Sequence, residues 1–376
     1  MTNFQNQITT QIKKYCQNTI EPHIETDDEQ GIFKKEIYQG LGELGLAGFT
    51  IDDSFGGANL DYQNFCPVLA TIAQYSVSYA VTLSVSVMSQ SIIQTFGNDE
   101  QKKKYLPELT SGKEIAAFAL SESHSGSDAA SLKTTAKKTD GGYILNGSKM
   151  WISSGGVAKT YIVMARTGEE GAKGISAFIV QDGMEGFTYG KKEKKMGWKV
   201  SPTRELIFEN CFVPKENLLS EEGKGFKIAL DALNRGRVTI GAVALGLSDK
   251  ALEVAVKYAL DRKQFNQPIY DFQGLQFMIA DCATEIEASR YLVNQAAINF
   301  DEGKIDRKLA AMAKLKATDT AMKVTTDSVQ ILGGVGYTSE YPTERYMRDA
   351  KVLQIVEGTN QIQKVIIGRE IKKQYS

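Results

Sequence analysis

QILGGVGYTSEYPTERYMRDAKVLQIVEGTNQ, residues 330–361, joins a glycine cluster to a charged helical segment and then to a single carboxylate, Glu357, set in an apolar run. Bare backbone at Gly333, Gly334 and Gly336 lets a phosphate come close to amide groups. Gly358 has no side chain to hold a ligand away, and Ile355 and Val356 would desolvate the carboxylate beside them. Two readings of Glu357 follow. It is either a general base for a weakly acidic carbon or a solvated glutamate at the C-terminus of a helix.

The spacing of Gln330, Gly333, Gly334, Gly336, Tyr337, Glu340, Arg345 and Asp349 resembles a signature of the acyl-CoA dehydrogenases. Val356-Glu357-Gly358-Thr359 is similar to the segment that holds the catalytic glutamate of that family. A second signature lies far upstream, at Ala119-Leu120-Ser121-Glu122 through Gly126-Ser127-Asp128. The two stand in the family's order, and the resemblance runs through nearly all of the chain.

With 376 residues the chain is long enough for two or three packed units sharing a large core. A formal charge of -1 gives no electrostatic reason to expect nucleic acid or an anionic membrane as partner. Cys16, Cys66, Cys211 and Cys282 are scattered and form no CxxC pair, so reduced thiols and a cytoplasmic location are expected. His23 and His124 are the only imidazoles, which disfavours a histidine-based metal site. The sequence holds no apolar run long enough to cross a bilayer and no signal-like N-terminus.

Three regions follow from the patterning. Residues 1–114 read as helices with polar connectors, including Ile32 to Leu46, Phe65 to Ala73 and Ala80 to Phe96. Gly40, Gly42 and Gly45 satisfy GxGxxG, but the preceding Phe33 to Gln39 is charged and helix-like, so a helix end and turn is expected in place of a dinucleotide site. Residues 115–220 turn β-rich: Tyr161 to Ala165, Ile175 to Val180 and Glu205 to Phe208 are strand-like, and Asp140-Gly141-Gly142 and Asn146-Gly147 are expected hairpin turns. Asn146-Gly147-Ser148 also matches a glycosylation sequon, better read as a turn. Residues 221–376 return to long amphipathic helices, rich in alanine on the inward face, as in an antiparallel four-helix bundle. The expected fold is therefore mainly α with an inserted, β-barrel-like domain.

Several segments can carry chemistry, each with an ordinary alternative. Phe118 to Ser127 suits a surface turn, or a loop that hydrogen-bonds a heterocycle edge through Ser121 and the backbone near Gly126. Trp151-Ile152-Ser153 ends a β-run, where a tryptophan is usually core; an indole beside a hydroxyl also suits a flavin ring. Asn234-Arg235-Gly236-Arg237 would bind phosphate or pair with acidic neighbours. Arg262-Lys263-Gln264-Phe265 closes a long helix and Phe272-Gln273 opens the next, where basic groups commonly answer the helix dipole.

The resemblance selects among these alternatives. It implies FAD as cofactor, with contacts from Phe118, Leu120, Ser121, Gly126, Ser127, Trp151, Ile152, Ser153, Thr359 and Gln361. It implies contacts to a neighbouring subunit's FAD from Arg262, Gln264, Phe265, Phe272, Gln273, Gln330, Gly333 and Gly334, hence at least a dimer and usually a homotetramer. For the acyl-CoA substrate it implies Ser127, Asn234, Arg237, Gly358 and Arg369. Glu357 becomes the base that removes the α-proton while the β-hydrogen leaves as hydride to flavin N5, since isovaleryl-type members carry their glutamate at the position of Gly236. An electron-transfer flavoprotein would take the electrons. One departure is Ser123-His124, where a proline and a small residue are usual. The alternatives are an oxygen-using oxidase or monooxygenase of the same fold, or a non-enzymatic flavin-binding subunit. A short- or branched-chain substrate, C4 to C6, is expected from kinship and from a polar pocket floor at Gln90 and Ser91.

Overall fold

The computed structural model describes residues 3–376. Six helices come first: α1 (Asn3–Thr19), α2 (Ile24–Gln30), α3 (Lys35–Glu43), α4 (Tyr62–Ala73), α5 (Val77–Phe96) and α6 (Asp99–Thr110). Side-chain caps fix several of their starts. Asp61 accepts from the Asn64 N–H, Ser76 from the Tyr79 N–H, and Asn98 and Gln101 form a reciprocal capping box. α5 is buried on every face from Val77 to Ile93 despite its serines and threonines. Thr82, Ser89 and Ser91 return their hydroxyls to the helix's own carbonyls at Ser78, Val85 and Val87, while Ser84 donates to Thr239 and Ser86 accepts from Tyr38, so burial leaves these groups satisfied. GLGELGLAG forms a helix end and turn: α3 stops at Glu43 and Gly45 takes φ +76°.

The middle of the chain forms one sheet. Its strands are β1 (Ala116–Ala119), β2 (Thr135–Thr139), β3 (Gly142–Ser153), β4 (Thr160–Arg166), β5 (Ile175–Gln181), β6 (Phe187–Lys192), β7 (Thr203–Pro214) and β8 (Leu218–Leu219). They lie in the order β6-β7-β3-β2-β4-β5-β8, with β1 parallel to β4. Asp140-Gly141 joins β2 to β3 as a hairpin, with Thr139 opposite Gly142. Asn146-Gly147 is not a turn. It lies inside β3 at a β-bulge against β7, where Gly147 takes φ +136° and the Asn146 carbonyl side-chain oxygen accepts from the Asn210 N–H. An Asn-Gly pair supplies the positive φ that a bulge requires as readily as that of a turn.

The remainder is helical. α7 (Gly225–Asp261) leads through the small hairpin β9 (Lys263–Gln264) and β10 (Gln267–Pro268) into α8 (Gln273–Asp301) and α9 (Arg307–Leu332). Short connections of this kind bring consecutive helices back antiparallel. α10 (Gly334–Tyr337), α11 (Thr343–Leu353) and α12 (Asn360–Tyr375) complete the chain, with α9 packed against α7, α8, α11 and α12. Ala313, Ala317 and Ala321 of α9 are fully buried, which lets the helices approach closely. Asp349 of α11 clamps this region to the connection between β6 and β7: its carboxyl accepts from the Trp198 N–H at 2.6 Å and its carbonyl from the indole at 3.1 Å. All four cysteines are buried free thiols. Among the described residues no helix is long and apolar enough to cross a membrane.

Candidate active site

A cavity of about 1110 Å³ opens where α5, the sheet, α7 and α12 meet. One wall is α5, whose Val81, Val85 and Met88 line it at i, i+4 and i+7. Phe118 of β1 and the loop that follows it, with Leu120, Ser121, Gly126 and Ser127, form a second wall, and β3 adds Trp151, Ile152 and Ser153. Asn234 and Arg237 come from α7, Glu357, Gly358 and Thr359 from the turn before α12, and Arg369 from α12 itself. Residues from separate parts of the chain thus face one space.

The turn that carries Glu357 is unusual in its backbone. Glu357 takes φ +55° and Gly358 φ +85°, two consecutive left-handed residues between α11 and α12. Thr359 caps α12 by accepting from the Ile362 N–H, and the Asn360 N–H closes the turn on the Gln354 carbonyl. Gln363 donates to the carbonyls of Glu357 at 3.1 Å and Gly358 at 2.7 Å. The Glu357 carboxyl is directed at α7, and its Oε2 is buried without a hydrogen-bond partner. Burial pushes the carboxyl up to about 7, against the opposing pull of Arg237 and Lys314. Arg237 is itself buried, with Nη1 donating to Asn234 Oδ1 at 2.5 Å and Nε left without a partner. Burial lowers the affinity of its guanidinium for the proton, and Glu357 works in the opposite direction.

The loop after β1 is braced from beneath by Glu122, which belongs to the upstream signature, and by Lys149, which the sequence did not single out. Glu122 accepts from the Lys133 and Thr134 N–H groups at 2.6 and 2.9 Å and from Lys149 Nζ at 2.7 Å. Lys149 is fully buried and also donates to the Leu120 carbonyl at 3.1 Å. Burial favours the neutral acid at Glu122, but Lys149 and the two amides outweigh it and hold the carboxyl below the usual range. The Met150 N–H donates to the Ser121 carbonyl, fixing the same loop to β3. The signal in the sequence was a lysine at an inward position of a strand.

A second group of candidate residues lies away from the cavity. Arg262, Gln264, Phe265 and Gln273 are exposed at the α7–α8 connection, with Phe272 half-buried beside them. Gln330, Gly333 and Gly334 are exposed at the end of α9, and a Cβ at either glycine would meet open space. One apolar cluster joins these ends, including Ala259, Ile331 and Leu332, with Leu275 against it. Gln361, on the first turn of α12, is exposed and does not line the cavity.

The expected polar floor is overturned. Gln90 points from α5 into the N-terminal helices, where Nε2 donates to the Ala47 carbonyl, and Ser91 bonds within its own helix. The face of α5 toward the cavity is Val81, Val85 and Met88, because Gln90 lies off the i, i+4, i+7 row that these three share. Basic side chains that the sequence did not single out, Arg307 and Lys373, join Arg369 around the cavity.

Comparison with known proteins gives one answer along the whole chain. Residues 2–113 match the acyl-CoA dehydrogenase N-terminal domain, residues 117–211 the middle domain and residues 223–372 the C-terminal domain. An acyl-CoA dehydrogenase of Bacillus subtilis is 48% identical over 361 residues, 95% of each chain. A mitochondrial isobutyryl-CoA dehydrogenase of Dictyostelium discoideum is 43% identical over 375 residues, 99% of this chain and 90% of that protein. Butyryl-CoA dehydrogenase from Megasphaera elsdenii superposes with a TM-score of 0.97 at 43% identity over 99% of both chains. A structure described as electron transferring flavoprotein of Acidaminococcus fermentans superposes with a TM-score of 0.97 at 46% identity over 99% and 98%. With three matching domains and these relatives, the chain belongs to the acyl-CoA dehydrogenase family, oxidoreductases that act on CH–CH bonds.

Proposed function

We propose that this protein binds FAD and oxidises a short- or branched-chain acyl-CoA thioester to its α,β-unsaturated form, with Glu357 as the base. The observation that carries this reading is the Glu357 carboxyl at the cavity wall, with Oε2 buried and unpartnered, beside the buried guanidinium of Arg237. A carboxylate pushed up to about 7 is a competent acceptor for the proton of a weakly acidic carbon near neutral pH.

The cavity fits the cofactor. Its volume of about 1110 Å³ exceeds the roughly 300–1,000 Å³ of usual small-molecule pockets and leaves room for a ring system beside an acyl chain. A Cβ at Gly126 would meet nothing within 4 Å, so that backbone is open to a ligand. Ser121, Ser127, Trp151 and Ser153 would hold the ring system, and FAD supplies the two-electron acceptor for the β-hydrogen.

The chain's own residues do the rest. Glu357 removes the α-proton, and its N–H, which donates no hydrogen bond within the described residues, is free to meet the thioester oxygen as negative charge develops there. Arg237 and Asn234 hold the polar arm of the substrate, and Arg307, Arg369 and Lys373 offer positive charge for the CoA phosphates. Val81, Val85 and Met88 enclose the alkyl chain and exclude water. Kinship with butyryl- and isobutyryl-CoA dehydrogenases supports a C4 to C6 substrate. Electron-transfer flavoprotein is the proposed electron acceptor.

The exposed Arg262 and Gly333 group is proposed to complete a neighbour's FAD site in a homotetramer. Arg262→Ala should then lower flavin content and weaken assembly together in sedimentation; an active, fully flavinylated wild-type monomer would refute this. The function itself is tested by anaerobic addition of butyryl- or isobutyryl-CoA. Bleaching of the flavin, with no oxygen consumption during aerobic turnover, is expected. No bleaching with any acyl-CoA would refute the reading, and rapid oxygen consumption would favour an oxidase.

A further inference from the structure

Lys314 of α9 is fully buried beneath the turn that carries Glu357. Its ammonium donates to the Gly358 carbonyl at 3.1 Å and to Asn360 Oδ1 at 2.8 Å. Asn360 is held in turn by Thr318 at 3.0 Å and Asp319 at 2.7 Å, both on α9, and Gln354 reaches the same Asp319 oxygen at 2.7 Å. One polar cluster therefore spans both ends of the turn from Gln354 to Asn360.

Packing does not require a lysine here. A buried ammonium whose hydrogen-bond partners are a peptide carbonyl and an amide oxygen is costly, and methionine would fill a similar volume without that cost. What the ammonium adds is a fixed point for the peptide immediately after two left-handed residues, one of them non-glycine. Gln363 is the other side chain that reaches the Gly358 carbonyl, and it comes from α12, which follows the turn. Lys314 alone ties that carbonyl directly to α9.

We propose that Lys314 is a positioning residue: it anchors the Glu357–Gly358 turn to α9 and so holds the carboxyl at the reacting carbon. This inference rests on the reading of Glu357 as the base. Burial lowers the Lys314 ammonium to about 7 while Glu357 and Asp319 favour its charged form, consistent with a cation kept for its contacts at some cost. A displacement of about 1 Å of a catalytic group costs on the order of 10²-fold in rate. The loss falls on turnover, since Lys314 does not line the cavity.

The test uses the holoenzyme with Lys314→Met and Lys314→Arg, and Lys314→Gln should Lys314→Met not accumulate in folded form. Steady-state kinetics are measured with butyryl-CoA and an artificial acceptor, alongside amide hydrogen exchange over residues 354–360. Lys314→Met should keep its flavin and its KM within about threefold, lose roughly 30- to 100-fold in kcat, and exchange faster across the turn. Lys314→Arg should recover part of the kcat. Unchanged exchange over 354–360 overturns the anchor whatever the base proves to be, and so does an unchanged kcat. Glu357→Gln is run in parallel: if it keeps its turnover, the assignment of the base has failed, and the exchange data still decide the anchor.

Discussion

Gly236 on α7 and Glu357 compete for the same space: a Cβ added at Gly236 would fall 2.6 Å from Glu357 Cδ and nearer still to Oε2. Real Cβ atoms essentially never come that close, so the missing side chain at 236 is what lets the carboxyl lie against α7. A base on α7 and a base on the turn are mutually exclusive in this geometry.

Gly236→Ala should therefore displace the carboxyl. The alanine improves helix propensity, so the variant should fold and keep its flavin while kcat falls roughly 10- to 100-fold, the range for a misplaced reacting group. Gly236→Glu combined with Glu357→Gly should regain measurable turnover, because a carboxyl on 236 enters the vacated space, whereas Gly236→Glu alone should be nearly inactive. Steady-state kinetics of the three variants check both statements.

The raised affinity of Glu357 for a proton has consequences for rate and for stability. The base works ionised, so kcat/KM should fall as pH drops through about 7. In the unfolded chain the carboxyl ionises near the ordinary value of about 4.3. Below that pH both states are protonated and nothing is gained or lost. Between about 4.3 and 7 the unfolded chain alone ionises, so this group's contribution turns against the native state as pH rises and is fully unfavourable above 7. Glu357→Gln should accordingly be more stable than wild type at pH 8, by roughly 1–3 kcal/mol, and nearly equal at pH 4. Urea unfolding at the two pH values measures it.

The acyl wall can be separated from the discarded polar floor. Val85 faces the cavity and Gln90 does not. Val85→Phe should shift preference sharply toward the shortest substrates, by roughly 10- to 200-fold in the ratio of kcat/KM for hexanoyl- over butyryl-CoA, as expected for one or a few methylenes in an apolar pocket. Gln90→Leu should leave that ratio within about threefold. A substrate panel on both variants decides.

Lys149 and Glu122 form a fully desolvated pair under the loop that carries Ser121 and Ser127. Lys149→Met would leave the Glu122 carboxylate buried with only the exposed His124 imidazole, 3.4 Å away, as a basic neighbour, and breaking such a pair typically costs about 3–5 kcal/mol. A fall in melting temperature together with loss of bound flavin is expected; a variant as stable and as flavinylated as wild type would show that the brace is dispensable.

Much of this was legible in the sequence. The long amphipathic helices of residues 221–376, the turn at Asp140-Gly141 and the decoy glycines at 40–45 all read correctly, because each is decided by local pattern. Glu357 could be singled out since an apolar run and a following glycine are local too. What escaped depends on contacts between distant segments. Lys314 and Lys149 look like ordinary surface charges until the helix face or strand face they occupy is known, although Lys314 does fall on the alanine-lined face of α9 with Ala310, Ala317 and Ala321. Gln90 was misplaced for the same reason: composition marked α5 as polar, and only its packing against Ala47 shows that this polarity turns away from the cavity. Asn146-Gly147 failed because turn and bulge demand the same backbone of glycine.

The assignment of the base is open to one decisive measurement: stopped-flow bleaching of the bound flavin by butyryl-CoA without oxygen, in wild type and in Glu357→Gln. The amide should preserve fold, flavin and substrate binding while slowing bleaching by at least the 10²–10⁴-fold typical of a removed general base. Bleaching in Glu357→Gln within about tenfold of wild type would contradict that role and move the base to another residue.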